Sequence, residues 1–522
     1  MDLLIDVCIA IDVCSGRSPH AQCSAMALQH CLNAGGQLWL YAGSMQTLEY
    51  TLYRELKRLF AAEASAPPNI FILQRSRELL QAFAADKHWL AALAGEGDVW
   101  DAEDLEEEQL IRALDRFKPG TIQILTRDNL LLQKCKNAVH PEDYLTENQN
   151  TKSIDFIDLM TQQGLIRAGL ENAIHRVIHH GQYIMGPEIK QLEEKLCEFV
   201  GSRHCITCAS GTDALLMALM ALDIGPGDEV VTVPYTWIST AEVIALLKAR
   251  PVFVDVQPDT FNMDPDLIEA AITPKTRAIM PVGIYGQCAD MTRINIIAQN
   301  YNLPVIEDGA QCFGAIHHGR FSCKLSLIGC TSFFPSKPLG CYGDGGAIFT
   351  DDDALADKLC QIRIHGQKVK HQHPVVGING RLDTLQAAIL LEKLSIFHNE
   401  CNLRRQVAGR YDALLAGTAG IRTPIIADGN QSVFAQYTIL ADNRDEITNV
   451  LQASNIPGVA YYTRCLHLQE AFADLGYKAG DFPVAEQVAT RCLSLPMSPY
   501  VSEVEQEMVA QEIKKGVVSS TL

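Results

Sequence analysis

The sequence predicts an α/β protein, and three observations support this fold class. Short apolar segments typical of strands alternate with amphipathic helical segments, a pattern that favours parallel sheets. The chain has 522 residues, enough for about three domains, or two if one is large. Apolar residues make up 48% and charged residues 20% of it, as in soluble globular proteins, which excludes disordered, collagen-like and coiled-coil chains.

The first predicted domain covers residues 1–146. Strands are predicted at 3–11, 38–42, 69–73 and 122–126, with a helix at 21–33 that ends before two glycines and a second helix capped by Ser44. The alternation predicts a parallel sheet. The polar segment TENQNTK, which contains no apolar residue, then predicts a linker at 147–152.

The second predicted region, 153–522, is also α/β. Its strands at 229–233, 251–254, 278–282 and 304–306 are almost continuously apolar, which is typical of strands buried on both faces. From about residue 394 the pattern changes to a long helix followed by a small α+β segment. We therefore expect a large domain at 153–393 and a small C-terminal domain at 394–522.

Charge and apolar patterning indicate which partners to expect. The 43 Lys and Arg against 62 Asp and Glu give a net charge of −19, which argues against an electrostatic nucleic-acid binder and against binding to an anionic membrane. The longest uncharged apolar run in the helical regions, 214–222, is far shorter than the roughly 18 residues of a membrane span. The first residues, MDLLIDVCIAIDVC, lack the basic start of a secretory signal. We expect a cytoplasmic protein.

The 17 cysteines are scattered and lie mostly in apolar strings, which predicts reduced core thiols. Cys205 and Cys208 form a CxxC pair that can also be interpreted as a redox pair or half of a zinc site. No second CxxC or paired histidine stands at a suitable spacing, and this favours the core interpretation.

Three motifs in the second region contain candidate binding or catalytic residues. At 210–215 a strand leads through small residues into an apolar helix, where Gly211 and Thr212 can form an anion cradle, although an ordinary N-capped helix fits as well. Asp308 ends a buried strand, and its carboxylate can be either the partner of a cation or the N-cap of the next helix. Lys337 lies among aromatic residues and prolines, five residues after Ser332; it is either a Schiff-base nucleophile or a surface lysine.

Together, a phosphate cradle, an acid for a pyridinium and a Schiff-base lysine are what pyridoxal phosphate requires. Residues 153 to about 515 closely resemble the DegT/StrS family of sugar aminotransferases, type I pyridoxal-phosphate enzymes. The resemblance rests on these motifs and on GPEIKQLEEKL, GPGDEVVTVPYTW, GQCADM, GINGRLDTLQAAIL and LSLPMSPY. The strings SFFPSKPLGCYGDGGAIFT and HGQYIMGPE are similar to the branch that aminates UDP-2-acetamido-2-deoxy-3-oxo-glucuronate for bacterial surface polysaccharide such as lipopolysaccharide O-antigen.

The resemblance implies a type I fold with a large mixed-sheet domain, UDP-sugar and glutamate as substrates, and a homodimer. Catalysis would fall to Lys337 and Asp308. The implied cofactor-binding residues are Gly211, Thr212, Trp237, Asp308, Gln311, Ser332, Lys337 and Asn379, the last reaching the phosphate in the other subunit. The implied substrate residues are Arg381, Tyr461 and Tyr462; for Arg381 an ion pair with Asp383 is the alternative.

The sequence departs from the family at two places. Gly309 stands where the family usually has alanine, and Tyr461 stands where this branch tends to have histidine. The second departure affects the exact sugar but not the chemistry. A dehydratase of the same fold would replace the lysine, usually with histidine, and this chain keeps Lys337.

The first region carries carboxylates that can converge on Mg²⁺ or Mn²⁺ at strand ends. The candidate ligands are Asp6, Glu49, Asp101, Asp104 and Asp128. Their order resembles a PIN domain, a family of metal-dependent ribonucleases, with Cys8 replacing the usual asparagine. Helix capping and solvated helix faces explain Asp101 and Glu49 equally well. The runner-up function is therefore a PIN-type ribonuclease that uses the transferase half as a scaffold, with RNA as its partner.

Overall fold

The computed structural model describes residues 154–519 continuously and five strands in the part of the chain before them. The chain divides into two compact units, Met1–Lys152 and Ser153–Leu522.

The first unit contains a parallel sheet. Its strands are β1 (Asp2–Ile5), β2 (Leu38–Tyr41), β3 (His88–Leu90), β4 (Ile122–Leu125) and β5 (Ala138–Val139). All four neighbouring pairs are parallel, in the order β3-β2-β1-β4-β5. The parallel pairing predicted from the sequence is thus confirmed for these strands. The predicted strand at 69–73 and the predicted helices lie outside the described residues.

The second unit is built on a mixed sheet. Its strands are β6 (His204–Cys208), β7 (Glu229–Thr232), β8 (Arg250–Phe253), β9 (Thr276–Ile279), β10 (Ile306–Asp308), β13 (Ile328–Ser332) and β14 (Gly346–Thr350). Strands β8-β7-β9 pair in parallel, and strands β10-β13-β14-β6 form a second group in which only β10 and β13 are parallel. Two isolated parallel bridges, Ile279 with Val305 and Val282 with Asp308, join the groups into one sheet.

Helices cover both faces of this sheet. Successive strand residues alternate between the two cores: Ala347 and Phe349 of β14 belong to one, and Ile348 to the other. The helices are α1 (Leu159–His180), α2 (Pro187–Val200), α3 (Gly211–Ala221), α4 (Ser239–Leu246), α5 (Ile268–Ala271), α6 (Met291–Asn300), α7 (Asp353–Ile362), α8 (Thr384–Leu415), α9 (Arg444–Ala453), α10 (Pro483–Arg491) and α11 (Glu503–Ser519).

The sequence of α2 shows why these helices form where they do. Pro187 occupies the first helical position and Gly201, at φ 79°, ends the helix in the left-handed region. The buried residues Ile189, Leu192 and Leu196 recur every three or four positions, so one apolar stripe faces the sheet.

The C-terminal part of the second unit contains short strands and helices. Strands β15 (Ile421–Arg422), β17 (Tyr437–Ala441) and β18 (Cys492–Leu495) form an antiparallel sheet. A further small sheet pairs β11 (Ile316–His317) with β12 (Arg320–Phe321) and β16 (Asn430–Gln431). The 32-residue helix α8 begins at Thr384, so the domain boundary expected at 393/394 falls inside one continuous helix.

Among the described residues, no helix combines the length and the apolar character that crossing a membrane would require.

Candidate active site

Asp308 lies at the end of β10, near the middle of the mixed sheet, and is 5% exposed. Its amide donates to the Pro281 carbonyl and its own carbonyl accepts from the Gly283 amide, both at 2.9 Å. Its Oδ1 accepts from the Ala310 amide at 3.2 Å. The chain continues as a turn at this point, so the alternative of a helix N-cap is wrong.

Thr240, in the first turn of α4, orients the carboxylate of Asp308. Its Oγ1 donates to Asp308 Oδ2 at 2.8 Å, and Thr240 is 1% exposed. Burial raises the pKa of Asp308, while the bonds from Thr240 and Ala310 and the charge of Lys337 oppose that rise. Within residues 154–519, no cationic side chain forms an ion pair with Asp308. A buried carboxylate in this state is suited to a cationic group on a ligand.

Lys337 lies in the loop between β13 and β14 and is partly buried. Its amide donates to the Phe334 carbonyl at 2.8 Å. Burial lowers the pKa of the Lys337 amine, and the charge of Asp308 partly offsets this. The two predicted catalytic groups are therefore close enough to influence each other's ionisation. A lowered pKa increases the neutral, nucleophilic fraction of the amine.

The predicted anion cradle brings Gly211 against Ser332. A Cβ at Gly211 would lie 2.6 Å from Ser332 Cβ, so only glycine fits. Ser210 caps α3 by accepting from the Asp213 amide at 3.0 Å, and Thr212 Oγ1 lies 2.8 Å from Ser239 Oγ. The start of α3 thus combines backbone amides with hydroxyl groups, which is an arrangement suited to phosphate.

Gln311 connects the site to a group of tyrosines. It is 3% exposed; its Oε1 accepts from the Tyr285 amide at 3.1 Å and its Nε2 donates to Tyr462 Oη at 2.8 Å. Tyr285 Oη in turn lies 2.6 Å from Tyr235 Oη. Both Tyr285 and Tyr462 have φ of 56°, a strained backbone conformation that the surrounding contacts must hold.

Tyr461 lies beside this group of tyrosines and is partly buried. Its ring centre is 5.8 Å from that of Tyr462 and 6.2 Å from that of Phe156. Burial raises the pKa of Tyr461.

Two predicted residues face solvent instead. Trp237 is 61% exposed, and Asn379 is exposed as well. Arg381 is partly buried and donates to Asn379 Oδ1 at 2.9 Å. No ion pair joins Arg381 to Asp383 in the described part of the chain, so that alternative is wrong.

Sequence reasoning missed Thr240, Ser239, Tyr235 and Tyr285. Ser239 and Thr240 follow the PYTW motif at the start of α4, and hydroxyl residues at a helix start are common for capping alone. Tyr285 contacts Gln311 across 26 positions of sequence, a contact that no local pattern indicates.

Cys205 and Cys208 are buried free thiols. The Cys208 thiol donates to the Ser210 carbonyl, and burial raises the pKa of both thiols. The core interpretation fits, and the described cysteines are free throughout.

The predicted metal ligands Asp6, Glu49, Asp101, Asp104 and Asp128 lie outside the described residues. What the structure describes is the pairing of two neighbouring strands: Ile5 pairs with Leu125 in parallel strands.

Residues 165–514 match the DegT/DnrJ/EryC1/StrS aminotransferase family. The UDP-2-acetamido-2-deoxy-3-oxo-D-glucuronate aminotransferase of Pseudomonas aeruginosa is 53% identical over 356 residues, covering 68% of this chain and 98% of that protein.

Two solved structures are also similar. A DegT DnrJ EryC1 StrS aminotransferase from Brucella abortus is 44% identical with a TM-score of 0.67, covering 69% of this chain and 98% of the other. NtdA from Bacillus subtilis, with bound cofactor PMP, is 29% identical with a TM-score of 0.65, covering 79% of this chain and 98% of the other.

Proposed function

Because the chain belongs to the DegT/DnrJ/EryC1/StrS aminotransferase family, we propose that it is a pyridoxal-phosphate-dependent transaminase that converts UDP-2-acetamido-2-deoxy-3-oxo-glucuronate to the amino sugar. Glutamate is the amino donor, and the product serves surface polysaccharide synthesis. The observation that carries the proposal is the buried, oriented carboxylate of Asp308 with the amine of Lys337 near enough to influence its pKa. The name of the Pseudomonas aeruginosa relative supports this sugar.

The residues present fit the cofactor. Gly211 leaves a backbone cradle that a Cβ would fill, and Thr212 and Ser332 add hydroxyl groups there for the phosphate. Asp308 offers a buried carboxylate to the ring nitrogen, and Gln311 offers an amide to the ring hydroxyl. Lys337 offers an amine to the aldehyde, and Trp237 offers an indole to the ring face. When bound, pyridoxal phosphate supplies an aldehyde for amines and a ring that withdraws electrons.

Asp308 and Lys337 then have different roles in the reaction. Asp308, held by Thr240 at 2.8 Å, keeps a proton at the ring nitrogen by electrostatic stabilisation. Lys337 Nζ, with its lowered pKa, is available as a neutral amine that accepts a proton from the amine-bearing carbon of glutamate and, in the second half of the reaction, donates a proton to the sugar carbon that receives the amine.

Recognition of the sugar would fall to residues at the open side of the site. Arg381 can form a bidentate contact with a carboxylate, which both the uronate and glutamate carry. Tyr461 and Tyr462, whose rings contact each other, would contact the sugar. The hydroxyl of Tyr462 bonds to Gln311, so the substrate side and the cofactor side are connected.

A homodimer with shared sites is part of the proposal, with Asn379 reaching the phosphate in the partner subunit. Large apolar side chains are exposed on segments that bear or flank the site residues: Trp237 by 61%, Phe334 by 51% and Val376 by 84%. Exposed apolar side chains of this size are typical of surfaces that another chain covers.

The test is a screen of UDP-3-keto and UDP-4-keto sugars with glutamate, read by product mass. We expect the ketone-to-amine mass change with the 3-oxo-glucuronate, and borohydride should fix the cofactor to Lys337. Amination of only 4-keto sugars would overturn the substrate. Full turnover by Lys337→Ala, or a label on another lysine, would overturn the chemistry.

A second candidate function concerns the first unit, which we propose to be a PIN-like domain that binds Mg²⁺ or Mn²⁺ and cleaves RNA. One observation favours it: β1 and β4 are parallel neighbours, Asp6 directly follows β1, and Asp128 is the third residue after β4. Parallel neighbours end at the same edge of a sheet.

Thermal melting of the full chain with and without Mn²⁺, and single-stranded RNA cleavage, test this second function. Asp6→Asn/Asp128→Asn should abolish both the metal-dependent shift and the cleavage. A wild-type protein whose melting ignores Mn²⁺ would make the acids structural.

A further inference from the structure

A buried group of two thiols and a carboxylate lies behind the strand that carries Asp308. It consists of Cys288, Glu307 and Cys312, which are 2%, 2% and 0% exposed. Their three ligand-type atoms lie within 4.8 Å of one another. Glu307 precedes Asp308 in β10, and successive strand residues project to opposite faces, so the carboxylate of Glu307 points away from that of Asp308. Cys312 directly follows Gln311 and is near enough to Lys337 to affect its pKa, so the group adjoins the candidate active site.

The carboxylate of Glu307 is incompletely satisfied. Its Oε2 accepts from the Leu325 amide at a long 3.4 Å, whereas its Oε1 has no hydrogen-bond partner among the described residues. Leaving a buried polar atom unpaired costs about 1–3 kcal/mol, and more for a charged group. An unpaired oxygen beside two thiols therefore indicates that a ligand is missing from this position.

Two glycines make the room that the sulfur atoms occupy. A Cβ at Gly283 would lie 2.2 Å from Cys312 Sγ, and a Cβ at Gly309 would lie 2.6 Å from Cys323 Sγ and 3.9 Å from Cys312 Sγ. Cys323, 2% exposed, is thus a third thiol next to the group. An alanine at Gly309 would displace Cys323.

We propose that Cys288, Glu307 and Cys312 bind one Zn²⁺, with Cys323 as the fourth ligand. Thiolates and a carboxylate are ordinary zinc ligands, at about 2.3 Å and about 2.0–2.2 Å in tetrahedral geometry. The ligand atoms of Cys288, Glu307 and Cys312, now within 4.8 Å of one another, would reach that spacing by small side-chain rotations. Cys323, whose thiol donates to the Cys330 carbonyl at 3.6 Å, would give up that bond to complete the site. Zn²⁺ bound by three thiolates and one carboxylate has the same net charge as Zn²⁺ in a Cys₄ site, which is a common structural zinc site.

The role of this ion would be structural. The four ligands come from the loop before α6, from β10, from the turn after it and from the segment after β12. The ion would connect these segments and brace β10 from the face opposite Asp308. Binding would release the thiol protons to solvent.

The test is the zinc content, by plasma mass spectrometry, of the full-length holoenzyme from zinc-supplemented cells. We expect one Zn²⁺ per chain, a loss of zinc to background in Cys288→Ser/Cys312→Ser, and full content in the control Cys360→Ser, whose thiol lies on α7 outside the group. Zinc-free wild type would overturn the proposal. So would wild-type zinc content in the double variant, since the ion would then be adventitious.

A second measurement does not depend on how the variants fold. Wild-type protein from cobalt-supplemented cells should show the thiolate-to-cobalt charge-transfer absorption. Its absence, or a disulfide between Cys288 and Cys312 in the intact protein, would also overturn the proposal.

Discussion

Thr240 determines how the carboxylate of Asp308 is presented at the edge of the sheet. Both residues are buried, and the 2.8 Å bond between them ties one carboxylate oxygen to α4 while the other bonds to the Ala310 amide. The carboxylate therefore has one orientation before any ligand arrives. Preorganisation of this kind removes reorganisation from the reaction itself.

Replacing Thr240 by valine should slow turnover while the protein still binds the cofactor. A hydrogen bond to a charged group contributes about 1.5–3 kcal/mol, so we expect kcat to fall roughly 10- to 100-fold with KM for glutamate little changed. Thr240→Ser should restore kcat, because it restores the hydroxyl. A valine variant with wild-type kcat would remove Thr240 from the proposal.

Asp308→Asn should retain the cofactor but lose turnover. A neutral amide cannot stabilise a proton on the ring nitrogen, and effects of this type amount to about two to three orders of magnitude in rate. The measurement is single-turnover amination by the loaded variant, with the cofactor content read from its absorbance. An unchanged rate would place Asp308 outside the site.

The burial of Lys393 predicts how the free energy of unfolding depends on pH. It is 1% exposed, its Nζ lies 4.3 Å from the centre of the Tyr342 ring, and burial lowers its pKa to about 8. Between about pH 8 and the ordinary pKa of 10.5 the unfolded chain binds this proton and the folded chain does not. The free energy of unfolding therefore gains up to about 1.4 kcal/mol per pH unit from this group as pH rises.

Lys393→Met should remove that rise and increase stability near neutral pH, where burying the charge is unfavourable. Urea unfolding between pH 7 and pH 10 measures the difference from wild type, and the exposed Lys190→Met serves as control. If wild type and Lys393→Met show parallel pH dependence, Lys393 is not buried as a charge.

Individual residues differed in how well the sequence predicted them. Lys337, Asp308 and Gly211 stand in local motifs whose spacing carries the chemistry, and the structure places Lys337 near Asp308 and Gly211 against Ser332. Thr240 and Tyr285 act through contacts between distant segments, so only the folded chain identifies them.

At the scale of elements, the junction between α3 and β13 carries the anion cradle. Gly211 begins the helix, Ser332 ends the strand, and there is no room between them for a methyl group. This close approach brings the helix amides to the end of the strand.

Gly211→Ala should therefore weaken cofactor binding. Its Cβ would meet Ser332 Cβ at 2.6 Å, and the strand end or the helix must shift to relieve it, which disturbs the cradle. We expect at least a tenfold rise in the cofactor Kd, measured by fluorescence titration of the apoprotein. The control is Gly225→Ala, where a Cβ meets nothing within 4 Å; equal affinity of the two variants would contradict the cradle.

Elements were predicted best where the local signals agree. The strand at 204–208 and the apolar helix after Ser210 occur as predicted. The strands β7 to β10 begin and end within three residues of their predicted positions. The long helix starts at Thr384, ten residues before the change of pattern at 394, because its first turns are buried against the large domain and so have no amphipathic signature.

At the scale of the whole molecule, cofactor affinity should depend on protein concentration. If Asn379 reaches the phosphate in the partner subunit, a monomer has an incomplete site. We expect a dimer of the 57.4 kDa chain in light scattering, and cofactor release on dilution that follows dissociation of the dimer. A fully active monomer at low concentration would contradict the shared site.

The helix α8 also has a consequence for cooperativity. Its first half contributes Leu390 and Phe397 to one hydrophobic core, and its second half contributes Val407 and Tyr411 to another. At about 1.5 Å per residue, this helix of 32 residues extends through both cores. Neither core can melt without unwinding part of the helix that the other requires. Residues 153–522 should therefore absorb heat in a single calorimetric transition, with neither core having a melting temperature of its own.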